Sequence, residues 1–383
     1  MKKNLSLALA ILCLATQHAF AAPAKPGAIN YKLPDGTEIT IELRGDEWAN
    51  WAVTPDGFTM LFNADGFPEY AVQDESGDLK LSGVRANNTS QRSTDEQRFL
   101  ERHSKGLRFS PSQLSTMRQL RGMRDQAMRS PAVGKAPQRS SKVTGNIRIP
   151  VILVGFPNRA FTKAKADFEL LFNQVNLTTT PDGPVTGSVR DYFLDASRGQ
   201  MNLQVDVFGP YTMPNNIGSY DHQNGGQPWV MAQLAVQAAY ADGCNFANYD
   251  ADGDGEVDAV HILFAGYDQA GGAPKGQSIW SHAGTVSGTP TLNGVQVVRY
   301  SCSPELRGIE GTDIMHIGTA VHELGHSLGE LPDLYDADGT GSGGEAIGLG
   351  AWDLMASGNW NDEGRTPPLF SAWSREFLGW VTS

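Results

Sequence analysis

His322-Glu323-Leu324-Gly325-His326 constrains this chain more than any other stretch of it. On a helix, residues four apart share a face, so two imidazoles at that spacing can reach one metal ion. Glu323 follows the first imidazole, where its carboxylate can take a proton from a water that the metal activates. The spacing therefore predicts a helix over Thr319 to Leu328, with His322 and His326 as zinc ligands and Glu323 as general base. Gly329 follows three residues past the second imidazole, where a glycine lets a helix end and the chain turn back towards the metal. In one zinc pattern the third ligand comes three residues after such a glycine. Here that place is Pro332, which has no donor atom. Asp333, one residue further, is the first choice for third ligand, because a carboxylate suits zinc. Glu345 is the rival, in a Gly-rich loop 19 residues past His326. Asp336 and Asp338 read as turn or calcium residues.

A second acidic pattern lies upstream. Asp250, Asp252, Asp254 and Asp258 stand at positions 1, 3, 5 and 9 of a loop with glycine at position 6, and the Glu256 carbonyl would fill position 7. His261 stands where an EF-hand would need its bidentate glutamate. A calcium-stabilised loop without the second helix is expected. His261, His282 and His316 read as structural, with His282 also able to orient substrate or a ligand.

The N-terminus reads as an export signal over residues 1–21. Lys2 and Lys3 precede an apolar run from Leu5 to Ala15, and Ala19-Phe20-Ala21 supplies a small-x-small cleavage pattern before Ala22. A secreted or periplasmic bacterial product is expected. Cys13 leaves with the signal, so Cys244 and Cys302 remain as an even pair in an oxidising compartment, and one disulfide is expected. No internal stretch approaches the ~18 uninterrupted apolar residues that a membrane span needs.

The net charge of −12 is segregated: residues 1–84 carry −5, residues 85–148 carry +10 and residues 149–383 carry −17. An acidic body argues against nucleic acid as a partner, and the basic middle is expected to dock on the acidic part or to be solvated and cut. Four segments result. Residues 1–21 are the signal, and 22–88 form a β-rich unit with turns at Pro34-Asp35-Gly36, Pro55-Asp56-Gly57 and Ala64-Asp65-Gly66. Residues 89–144 are a basic helical and linker segment, with a helix over Gln113 to Met128 and an activation site before Thr144. The catalytic domain spans 145–383. It opens on a buried strand, Ile147 to Val154, and mixes strands and helices without regular βαβ repetition, hence an α+β fold with a mixed sheet.

Several separate segments resemble the immune inhibitor A-type secreted metallopeptidases, in the same order. His322 to Asp333 is similar to that family's zinc motif, with Glu330 as one extra residue. Ser188 to Phe193, Ile279 to His282, Trp352 to Gly358 and Leu378 to Val381 are similar too. The resemblance covers about residues 147–382, and residues 33–72 resemble the family's propeptide region. It implies a metzincin-like catalytic domain behind a β-rich propeptide, and a Met-turn beneath the metal at Met355. No tyrosine follows Tyr335, so Tyr335 or the metal must polarise the substrate carbonyl.

The function expected is zinc-dependent endopeptidase activity, made as a zymogen. Its partners are extended polypeptide substrates, paired with an edge strand around Val295 to Tyr300, and its own propeptide. The alternative is a calcium-stabilised extracellular binding module with an inactive metal site. A thermolysin-like enzyme would change the fold more than the activity.

Overall fold

The computed structural model describes residues 20–46, 49–117, 143–335 and 348–381. After a two-residue strand β1 (Phe20–Ala21), the chain forms an antiparallel meander: β2 (Ala28–Lys32), β3 (Glu38–Gly45), β4 (Asn50–Val53), β5 (Thr59–Phe62), β6 (Pro68–Gln73) and β7 (Leu79–Arg85). Four of its connections are one loop repeated, at residues 33–37, 54–58, 63–67 and 74–78. In each, the first amide donates to the fifth carbonyl and the fourth residue is a glycine with positive φ, between 81° and 96°. That left-handed residue turns the chain with the twist a hairpin needs. The alternation in Glu38 to Leu43 puts Ile39 and Ile41 inside, against Tyr31, Met60 and Tyr70.

The larger domain is built on a second six-stranded sheet, in the order β1-β13-β16-β12-β8-β11. Its members are β8 (Gly145–Gly155), β11 (Met201–Thr212), β12 (Val260–Phe264), β13 (His282–Thr285) and β16 (Arg299–Pro304), together with β1. Short hairpins β9–β10 (Thr179–Thr180, Gly183–Pro184) and β14–β15 (Thr291–Leu292, Val295–Gln296) lie outside it. β11, β8, β12 and β16 run parallel, β13 runs antiparallel to β16, and β1 runs antiparallel to β13. The sheet is mixed, as expected.

β8 shows how the sequence feeds both faces. Ile147, Ile149, Val151 and Leu153 enter one apolar layer, with the helices Lys165–Asn173, Val189–Ala196 and Ile317–Gly329. Ile152 and Val154 enter the opposite layer, with the helix Pro228–Ala241. A strand covered on both faces reads as a continuous apolar run, which is why Ile147 to Val154 looks as it does.

Two expectations are corrected. Cys244 and Cys302 are free, buried thiols, not a disulfide. Cys302 is inside β16 with its Sγ 3.4 Å from His282 Nδ1, while Cys244 closes the helix Pro228–Ala241 through its amide on Ala239. Each serves as a small apolar filler, and burial pushes both thiols up, that of Cys244 to about 11. Val295 to Tyr300 is not an edge strand: it is split between β15 and β16, and β16 is paired on both sides. Some described basic residues of the middle segment pair within the N-terminal part of the chain, while Arg148 meets Asp206 of the acidic body at 2.6 Å. Arg92 and Lys105 meet Asp56, and Arg98 meets Asp95. Residues 111–117 begin the helix expected over Gln113 to Met128. The rest of that helix and the activation site lie outside the described residues.

Candidate metal centre

The motif helix, Ile317–Gly329, is buried on every side, so its two imidazoles and Glu323 face protein rather than bulk water. It continues through Gly329, contrary to expectation. The left-handed turn is made by Glu330 itself, with φ of 55°, and its side chain pairs with Arg299 at 2.7 Å. Gly329 is needed for another reason, since a Cβ there would come within 2.8 Å of Leu378. The extra residue is thus absorbed in the cap, and the chain returns with Leu331 and Asp333 under the helix end.

The tautomers follow from the backbone. His322 Nδ1 donates to Leu354 O and His326 Nδ1 donates to Leu331 O, each at 2.7 Å. The Nε2 lone pairs are then left facing one another at 3.1 Å. Asp333 Oδ1 lies 3.3 Å from both. It is enclosed and accepts no well-aligned hydrogen bond. Three ligand atoms within 4.8 Å of one another could hold a metal ion, and two imidazoles with one carboxylate are a donor set that suits zinc. Burial alone would raise the Asp333 carboxyl, but in the metal-free site protonated His326 and His322 would outweigh it and hold it at about 2. Burial lowers the His326 pKa, against the pull of Asp333. Glu345, Asp336 and Asp338 lie outside the described residues.

Met355 is fully buried directly beneath the helix, and a Cβ on Gly325 would approach its Sδ to 2.7 Å. Sequence reasoning passed over Asp353, which fixes this turn by accepting the Met355 and Ser371 amides. The Leu354 carbonyl that orients His322 belongs to the same turn.

A further feature escaped sequence reasoning altogether. The segment after β1 fills the cleft in front of Glu323. The Ala22 N–H donates to Glu323 Oε1 at 2.7 Å, across 301 residues of chain. Phe20 and Ala21 pair antiparallel with Ala283 and His282 of β13. The indole N–H groups of Trp280 and Trp360 donate to the carbonyls of Ala22 and Pro23, both at 2.8 Å. Ala22-Pro23-Ala24-Lys25 carries no motif. Only Trp280, inside the family-like Ile279 to His282, gave a signal.

The three other histidines singled out by the sequence are each held by hydrogen bonds. His261 is buried between the hydroxyls of Ser301 and Ser303, at 2.8 and 2.9 Å. His282 sits on β13 between Trp280 O and Tyr300 OH, both at 2.7 Å. His316 precedes the motif helix and bonds Glu363 O. In the acidic loop the carboxylates of Asp250, Asp252 and Asp254 come together. The Asp258 carboxylate instead accepts the Ala251 amide at 2.9 Å.

A mixed sheet over a buried helix, with two imidazoles and a carboxylate that could hold a metal beside Glu323, is an arrangement compatible with a metallopeptidase. Residues 159–381 match the family model of the immune inhibitor A peptidase M6 catalytic domain. That is more than half of the chain, and the chain belongs to this family of peptidases. It has no significant match among curated proteins. The reading as a binding module is not favoured. Among the described residues no helix is long and apolar enough to cross a membrane.

Proposed function

We propose that this chain is the exported precursor of a zinc-dependent endopeptidase. The observation that carries the reading is the convergence of His322 Nε2, His326 Nε2 and Asp333 Oδ1 beside Glu323, in a cleft that already holds an extended segment of polypeptide. When bound, zinc would polarise the peptide carbonyl and lower the pKa of water. Glu323 takes the water's proton and passes it to the leaving amine. Its Oε1 is already within hydrogen-bonding reach of a backbone nitrogen, that of Ala22. β13 pairs with substrate main chain, and the two indoles hold the carbonyls downstream, so main-chain groups supply much of the binding.

Latency follows from the same contacts. A signal cut before Ala22 would turn the Ala22 amide into an ammonium facing Glu323, which would pair with the base and keep substrate out. The segment is tied to the β-rich unit through the Ala24 amide on Gly45, and Asn50 of that unit bonds Gln223. Removing the unit would therefore withdraw the block. We expect the intact protein to be inactive on casein and trypsin cleavage between Arg129 and Lys142 to switch it on. A chelator should abolish the released activity and zinc should restore it. Full activity before cleavage would refute the precursor reading, and activity indifferent to chelation would refute the metal.

The acidic loop would take a calcium ion on Asp250, Asp252 and Asp254. Repulsion among the three carboxylates is relieved by a cation bound only in the native state. The melting temperature should rise in excess calcium over a calcium-selective chelator, and superimposable curves would remove the ion from this loop.

A further inference from the structure

The peptidase reading leaves open what the cleft selects, and the seated segment supplies a register. With the Ala22 nitrogen at Glu323, the 21–22 bond occupies the place of a scissile bond, and Lys25 is the fourth residue downstream. Up to that point the segment is held by main-chain groups: Trp280 on Ala22 O, Trp360 on Pro23 O, and the Lys25 amide on Ala270 O at 2.8 Å. Ala22 is fully enclosed and Ala24 nearly so, leaving room for small side chains only. Lys25 differs. Its Nζ pairs with Glu363, and its side chain is only 19% exposed while that of Glu363 is 57% exposed.

Glu363 is held in place for this contact. Asp362 and Glu363 are consecutive non-glycine residues in the left-handed region, at φ of 52° and 58°, a conformation that persists only where the surroundings enforce it. His316 Nδ1 donates to the Glu363 carbonyl at 3.0 Å, and Arg307 Nη1 donates to His316 Nε2 at 2.8 Å. The adjacent carboxylate of Asp362 is already taken by Arg365 and Thr366. A small cavity lined by Lys25, Arg307, His316, Trp360 and Glu363 lies at this contact.

We infer that Glu363 is a specificity-determining residue that selects a basic side chain at the fourth position after the cleaved bond; this rests on the peptidase reading of the site. A half-exposed ion pair is modest, so the selection is about three- to fivefold over alanine. The test uses the trypsin-activated full-length protein and quenched peptides containing Phe-Ala-Ala-Pro-Ala-X, with X as Lys, Ala or Glu. The expected order of kcat/KM is Lys over Ala over Glu, flattened in Glu363→Gln and inverted between Lys and Glu in Glu363→Lys. An order that survives both substitutions overturns the inference, as does cleavage of casein without cleavage between the two adjacent alanines of the peptides. Should casein itself resist, the peptidase reading fails separately. The contact is then read in the intact protein: hydrogen exchange at the Ala24 and Lys25 amides should quicken in Glu363→Gln, and unchanged exchange overturns the subsite.

Discussion

Glu323→Gln should yield a folded, metal-binding protein whose peptide hydrolysis is slower by about 10²–10⁴-fold or more, the usual cost of losing a general base. The residue is fully buried, so its replacement must preserve shape, and glutamine does. The amide oxygen can still accept the Ala22 N–H, so the precursor should keep its cleft segment and its melting temperature. What the amide cannot do is accept a proton from water and return it to the leaving amine. Zinc content should stay near one per chain, since His322, His326 and Asp333 are untouched. Activity on casein after trypsin activation is the decisive measurement. A variant retaining more than about a tenth of the wild-type rate would remove Glu323 from the role of base.

Asp333→Ala should be as damaging, through the metal. The substitution leaves two imidazoles whose Nε2 atoms face each other with no anionic partner. Perturbing even an outer partner of a ligand costs about 10–100-fold in metal affinity, so losing the ligand itself should exceed that. Both zinc retention on dialysis and peptide hydrolysis should collapse together. Glu345→Gln is the paired control, expected to keep both. If Glu345→Gln loses zinc while Asp333→Ala holds it, the ligand assignment is reversed.

The site was legible where its logic is local. Two imidazoles four residues apart on a helix must share a face, and a carboxylate next to the first must lie near whatever they bind. The strands and helices of the larger domain were legible for the same reason, through apolar runs and periodicity. Ile147 to Val154 falls on β8 and Thr319 to Leu328 on the motif helix, each within a few residues. The turns at Gly36, Gly57 and Gly66 were visible as Asp-Gly pairs. The related turn at Gly77 was not, because Ser76 precedes it.

What the residues alone determined is therefore the pair His322 and His326, the carboxylate of Glu323 and the class of chemistry these permit. Covalent spacing along a helix leaves them no other arrangement. The tertiary structure decided everything that depends on distant segments meeting. It turned the chain at Glu330 so that Asp333 reaches the imidazoles, and it kept Cys244 and Cys302 in separate elements. It buried β16 and made β13 the edge that receives a strand. It also brought Ala22 to Glu323 across 301 residues, a contact with no local signature. Closing so long a loop is an outcome of the packing of two whole units, and no short window of sequence encodes it.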